Sequence, residues 1–394
     1  MATSSNDESR SHSLLNNPTF RAIAFQLLTI GVLALVIYSI VNNALINLDQ
    51  RGIATGFGFL DERAGFGISM SLIEYNETFS YGRTFFVGLL NTALVSALGI
   101  LCATVLGFII GVSRLSSNWL VSRIAAVYIE IFRNIPLLLQ IFFWYFAVLQ
   151  ALPSPRNSLS FGEYLFLNVR GLYVSRPVFE QGAVWLLLGV VVGLSGALLI
   201  RRYAKIKQQQ TGAQLPTLRL GCLVLLISMF IGYLIGDSPL SIEHPTLRGF
   251  NFRGGISIIP ELAALTLALT IYTAAFIAEI VRSGINAVSH GQTEAALALG
   301  LSPNKTLRLV VIPQALRVII PPLTSQYLNL TKNSSLAMAI GYPDLVSVFS
   351  GTTLNQTGQA IEIIAMTMAV YLALSLFTSL LMNMYNRKVA LVER

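Results

Sequence analysis

The sequence predicts an all-α polytopic membrane protein with about eight transmembrane helices, and three observations predict it. Of 394 residues, 54% are hydrophobic and only 11% are charged. A soluble domain carries about 25% charged residues, so a chain this apolar could not cover its own core with polar surface. The apolar residues fall in long runs, as hydrocarbon-spanning helices require. Lys and Arg gather in alternate short loops, the pattern of a chain threaded through a bilayer.

The runs are Phe20–Leu45, Thr84–Val112, Leu120–Leu152, Val184–Ile200, Leu218–Ile235, Ile256–Val281, Leu307–Leu330 and Ala360–Met384. A span needs about 20 apolar residues at 1.5 Å rise. Val184–Ile200 is a little short. The third run carries a polar knot, EIFRNIP, at Glu130–Pro136, and the seventh must be kinked by Pro313, Pro321 and Pro322. With the N-terminus inside, the inner loops hold Arg114 and Arg123, then Arg201, Arg202, Lys205, Lys207 and Arg219, then Arg282, Lys305 and Arg308, and finally Arg387, Lys388 and Arg394. The segment Arg201–Arg219 has five basic residues and no acid. Eight spans place both termini in the cytoplasm.

The chain divides into a polar cytoplasmic tail (1–19), an extra N-terminal span with an outer loop (20–83), a first core part (84–152), an insert with two additional spans (153–255) and a second core part (256–394) that contains a cytoplasmic loop at 290–313. Removing the extra segments leaves five spans. The polar start is too long and too acidic for a signal n-region. The net charge of +8 does not imply nucleic acid, because cytoplasmic loops collect Lys and Arg anyway. Cys102 and Cys222 lie in apolar runs and read as small packing residues. There is no disulfide framework and no metal-ligand spacing. No phosphate-cradling G-x-x-x-x-G-K-[ST] motif occurs, and His12, His244 and His290 fall in unrelated loops. No residue is assigned a catalytic role, and the chain is not expected to hydrolyse ATP.

The stretch EAALALGLSPNKTLRLVVIPQAL, Glu294–Leu316, reads as helix, turn, helix. Glu294 through Leu299 are good helix formers. Gly300 suits the left-handed position after a helix, Ser302 can cap the next one, and Pro303 fits its first turn. The short helix therefore lies in the cytoplasm and exposes Ala295, Ala296, Leu297, Ala298 and Leu299. An interfacial helix would carry Lys or Arg on its polar face, and Gly291–Gly300 has none. A groove in another protein is the better occupant.

The segment GQTEAALALGLSPNKTLRLVVIPQALRVIIPPL, Gly291–Leu323, resembles the EAA loop of the membrane subunits of bacterial ABC importers, and in detail their polar amino-acid branch. YIEIFRNIPLLLQIFFWYF, AAFIAEIVRSGINAVSHGQ and LTKNSSLAMAIGYPDL resemble that branch too, in the same order. The insert is similar to that of the larger permeases of general L-amino-acid uptake systems. The resemblance implies a five-helix type I importer core and an inner-membrane location. It implies a cytoplasmic ABC ATPase dimer holding ATP and Mg, a second, non-identical permease, and a periplasmic substrate-binding protein. Only the lipid bilayer and these proteins are expected as partners, with no nucleic acid and no cofactor in this chain. It also implies that Glu294, Ala295, Ala296, Leu299, Gly300, Leu301 and Pro303 form the ATPase-coupling element.

Charges inside apolar runs are costly, about 2.5–3.5 kcal/mol each on insertion scales, so they face protein, water or one another. Glu130/Arg133 and Glu279/Arg282 have i,i+3 spacing and can pair. Glu279/Arg282 is the candidate structural ion pair. Glu130/Arg133 is equally readable as a structural pair or as part of a path for a zwitterion. Asn329, Lys332, Asn333 and Ser335 complete the candidate path. An ion-gradient-driven secondary transporter is the alternative, and it leaves the Glu294 helix unexplained.

Overall fold

The computed structural model describes residues 18–50, 52, 55–237 and 239–389. Most of the polar tail and Arg394 lie outside the described residues. Among the described residues, seven helices are long and apolar enough to cross a membrane, and a bent pair makes an eighth if it forms one span. The helices that follow are α1 (Pro18–Gln50), α2 (Tyr81–Arg114), α3 (Trp119–Asn134), α4 (Leu137–Phe142), α5 (Ala183–Thr211), α6 (Thr217–Ile235), α7 (Pro260–Asn286), α8 (His290–Ala298), α9 (Pro303–Thr306), α10 (Ile312–Asn333), α11 (Leu354–Thr357) and α12 (Ala360–Val389). By internal contacts the chain forms two units. One is Met1–Leu90 with Leu345–Ala373, and the other is Asn91–Asp344 with Leu374–Arg394.

In the smaller unit, α1 is exposed along its apolar length, as a helix solvated by lipid chains would be. The loop after it folds around Phe59, Ala64 and Tyr81, which pack with Leu345, Phe349 and Ile363. Glu362 is 9% exposed. Its Oε1 accepts the Gly56 N–H at 2.6 Å, which satisfies a carboxylate that could not otherwise be buried.

The larger unit is built on α7, whose residues Leu262–Gly284 include the densest set of buried side chains among the described residues. Small residues let α2 approach it closely. A methyl group added at Gly107 would lie 2.6 Å from Ile277 Cβ, and one at Gly111 would lie 2.7 Å from the Ala278 carbonyl oxygen. On α10, Tyr327 and Thr104 share a hydroxyl hydrogen bond of 2.7 Å, which ties α2 to α10.

The polar knot of one span marks a break, and the expected kinks of another need correction. The run Leu120–Leu152 is not one straight helix: Trp119–Asn134 and Leu137–Leu149 meet at 105°. Ile135 precedes Pro136 and is extended, with φ −96° and ψ 126°, because the proline ring disfavours helical backbone in the residue before it. The freed carbonyls of Phe132 and Ile135 are taken by the Gln140 amide, both at 3.0 Å. In the seventh run, Pro321 and Pro322 lie inside a continuous α10. The irregular backbone is a π-turn at Leu307–Val311, just before Pro313, whose missing N–H leaves the i−4 bond unmade.

The helices carry the architecture, but the outer loops of the insert also contain short strands that the apolar pattern did not reveal. They are β1 (Leu159–Phe161), β2 (Leu165–Asn168), β3 (Gly171–Val174), β4 (Arg176–Phe179), β5 (Leu240–Glu243), β6 (Thr246–Arg248), β7 (Asn251–Arg253) and β8 (Ile256–Ile258). The sixth apolar run thus begins in a strand, and its helix starts at Pro260. Antiparallel pairs β3–β8 and β4–β5 join the two loops into one cap. Phe252 stacks near Phe166 and Tyr173, with ring centroids 4.7 and 5.0 Å away. Cys102 and Cys222 are exposed rather than packed in the interior.

The close α2–α7 approach predicts that Gly111→Leu lowers the thermal stability of the detergent-purified protein by about 1–3 kcal/mol, the range for overpacking. Gly31→Ala, on α1 with no atom within 4 Å of the added carbon, should leave the melting temperature unchanged.

Candidate functional site

After Asn286 the chain leaves α7 and turns into α8 at His290. Ser289 has the extended backbone of a capping residue, but its side chain makes no cap hydrogen bond. The end of α8 is closed by two backbone bonds, Gly300 N–H to the Leu297 carbonyl at 2.9 Å and Leu301 N–H to the Ala296 carbonyl at 3.1 Å. This is the Schellman pattern, with the left-handed residue just beyond the helix. Gly300 takes that position at φ +79°. No atom lies within 4 Å of a carbon built on it, so backbone conformation and not space demands glycine here.

The next helix begins with Ser302 in extended backbone and Pro303 at its first position. The expected Ser302 side-chain cap does not form. Its carbonyl instead accepts the Thr306 N–H at 2.9 Å, as the first helical bond requires, and Pro303 needs no partner because it has no N–H. The π-turn then leads into α10.

One expectation about exposure fails. Ala296 is buried, at 4%, because α8 packs its inner side on α9 and on the turn Leu307–Val311. Gln314 Nε2 also donates to Gln292 Oε1 at 3.3 Å across this contact. Glu294, Ala295, Ala298 and Leu299 remain exposed, with i,i+4 spacing that puts them on one ridge. Leu297 is 45% exposed and Leu299 83%. Leu301 is half-buried and Pro303 exposed. The short helix is therefore anchored through alanine on one side and presents two leucines and a carboxylate on the other.

The charged residues fall into a different arrangement. Glu279 and Arg282 form a bidentate pair within α7, with Nη2–Oε1 at 2.5 Å and Nε–Oε2 at 3.0 Å. No ion pair joins Glu130 to Arg133 among the described residues, contrary to their spacing. The Arg133 guanidinium lies over the Phe276 ring instead, 5.3 Å from its centroid, so α3 is bound to α7 through a cation–π contact. Glu130 is exposed, and its carbonyl accepts the Asn134 amide at 2.7 Å. Arg133, Glu279, Ser283, Pro322 and Gln326 line a cavity of about 300 Å³ between α3, α7 and α10.

Asn329 and Lys332 are exposed, and Asn333 and Ser335 are half-buried. The Ser335 hydroxyl donates to the Lys332 carbonyl at 2.8 Å, which ends α10 without a nonlocal partner. No hydrogen bond or ion pair among the described residues brings this group to Glu130 or Arg133. Phe276, Ser283 and Gln326 were not singled out by the sequence. The i,i+3 spacing of Glu130/Arg133 and Glu279/Arg282 drew attention to α3 and α7, but not to the aromatic ring between them. No cluster of three or more His, Cys, Asp or Glu among the described residues could hold a metal ion.

Residues 103–391 match the family of binding-protein-dependent transport system inner membrane components, and the chain belongs to that family. It is thus a permease-type, multi-pass membrane component of a transport system. Among its relatives is YhdX of Escherichia coli (strain K12), which carries the name of an amino-acid ABC transporter permease. It is 56% identical over 96% of each chain. The general L-amino acid transport system permease protein AapQ of Rhizobium johnstonii is 49% identical over 97% of this chain and 95% of its own. The glutamate/glutamine/aspartate/asparagine transport system permease protein BztB of Rhodobacter capsulatus is 42% identical over 97% of this chain and 96% of its own.

The Glu279–Arg282 side chains retain 29% and 35% exposure, so water screens their attraction. A double-mutant cycle with Glu279→Gln and Arg282→Gln, read by thermal unfolding, should give a coupling energy of roughly 1 kcal/mol or less.

Proposed function

We propose that this chain is the transmembrane permease subunit of an ATP-driven importer of polar L-amino acids. Family membership supports the permease role, and the names of relatives aligned along nearly the whole chain support the substrate class. The observation that carries the coupling mechanism is the exposed ridge of α8, Glu294, Ala295, Ala298 and Leu299, on a helix fixed to the base of α10. An exposed alanine and leucine ridge on a short, firmly seated helix fits a groove in a partner. The groove belongs to a cytoplasmic ABC ATPase dimer, which holds ATP and Mg and carries out the hydrolysis.

Closure of the ATPase pair draws two such helices together, one from this chain and one from a second, non-identical permease. Because Gly300 and Pro303 fix the angle between α8 and α10, the displacement passes into α7 and α10 and rocks the bundle between inward and outward openings. A periplasmic binding protein delivers the amino acid from the other side. Both termini are cytoplasmic and the location is the bacterial inner membrane. The candidate path comprises Glu130, Arg133, Asn329, Lys332, Asn333 and Ser335. The Glu279–Arg282 pair is structural and lies within α7. A secondary transporter driven by an ion gradient has no use for a rigid, exposed α8, and uptake should disappear when the ATPase gene is deleted.

Glu294→Lys reverses the one carboxylate on the ridge, and Gly300→Val forces a β-branched residue into left-handed backbone at roughly 1–2 kcal/mol. Each should reduce ATPase recovered with the purified chain by several-fold while the melting temperature of the bundle stays within a few degrees. Undiminished recovery with both variants contradicts the assignment.

A further inference from the structure

The insert hairpin offers a surface that the coupling mechanism does not use. α5 and α6 pack chiefly on each other, and glycines set the distance between them. A carbon added at Gly189 would lie 2.5 Å from the Ser228 carbonyl oxygen, and one at Gly221 would lie 3.3 Å from Ala197 Cβ. With Gly193 against Leu225, these contacts fix an antiparallel register in which Ala197 faces Gly221. Arg219 on α6 therefore stands level with the residues around Ile200, within about two to three residues' rise along the axis, roughly 3–5 Å, of Arg201 and Arg202 on α5.

α5 does not stop where its apolar run ends. It continues from Arg201 to Thr211, about 16 Å of further helix, carrying Lys205 and Lys207. Arg201, Arg202, Lys205 and Arg219 are exposed. Lys207 lies near the Tyr203 ring, 6.0 Å from its centroid. No Asp or Glu occurs between Glu180 and Asp237, and none of these five cations makes a salt bridge among the described residues. Exposed Tyr203, Ile206 and Leu218 intersperse them. The combination is a tier of cations at the edge of an apolar hairpin, with aromatic and aliphatic groups at the same depth and no internal anion to neutralise it.

We infer that this end of the hairpin is a binding site for anionic phospholipid headgroups, with Arg201, Arg202 and Arg219 clasping the phosphate and Lys205 and Lys207 extending the field. The inference rests on the cytoplasmic placement of residues 201–219 proposed above. A phospholipid fits better than an acidic protein surface because the cations begin where the apolar run ends, at headgroup level. Arginine forks also match phosphate oxygens. Basic residues next to a span attract anionic lipid additively, and basic pockets between transmembrane helices accept phosphorylated headgroups.

The test is native mass spectrometry of the full transporter complex in mild detergent, titrated with phosphatidylglycerol, cardiolipin or phosphatidylcholine. The wild type should retain either anionic lipid with a preference of about ten-fold or more over phosphatidylcholine. The triple variant Arg201→Gln/Arg202→Gln/Arg219→Gln should bring that preference within about two-fold. The same variant should keep its ATPase. Equal lipid preference in wild type and variant overturns the inference, and so does loss of ATPase with lipid preference intact, which would make the surface a protein interface. Gln209→Cys, labelled in sealed vesicles by a membrane-impermeant maleimide, reads the topology separately. Labelling from the periplasmic side overturns the orientation, whereas the lipid preference in detergent does not depend on sidedness.

Discussion

A backbone group in hydrocarbon has no water to turn to, and the chain must satisfy it internally. This constraint places the regular helices and gives meaning to each departure from them. Where α3 meets α4, Pro136 forces Ile135 out of helical backbone, and the buried Gln140 amide takes the released carbonyls. The Gln140 amide nitrogen thus repairs the break, while its buried Oε1 has no hydrogen-bond partner among the described residues. The π-turn before Pro313 follows the same reasoning, since a missing donor shifts the hydrogen-bond pattern by one residue instead of ending the helix.

The break at Gly300 is different. It sits beyond the spans, and its hydrogen bonds are complete without any side chain. The chain has no need of repair there, yet it leaves Leu297 and Leu299 in contact with solvent. Exposed single leucines are ordinary on protein surfaces. What gives these two weight is their position on a nine-residue helix whose inner side, Ala296, is seated on the foot of α10. A hinge at this point would absorb a push. A Schellman closure followed by Pro303 transmits it. Coupling to a partner thus depends on local backbone geometry as much as on the contact residues themselves.

Much of this was legible in the sequence because the signals are local. Run length and hydropathy give the spans. Gly300, Ser302 and Pro303 mark the turn, since few residues tolerate those backbone positions. Side-chain partners across helices were not legible. Glu130 and Arg133 have the spacing of a pair, but Arg133 finds the Phe276 ring on α7, and no one-dimensional spacing reports an aromatic face on another helix. Ser302 occupies the capping position without capping, because the choice of rotamer lies outside the sequence pattern. The strands of the insert were missed for another reason. They are three or four residues long, and their pairing joins residues on either side of α5 and α6, as in Leu172 with Ile258.

Site-specific photocross-linking from α8 tests the central claim most directly. With a photoreactive amino acid at Leu299 in the assembled transporter, irradiation should join this chain to the ATPase subunit, and the yield should change between nucleotide-free and ATP-bound states. Adducts confined to lipid or to this chain itself, in both states, would contradict the account.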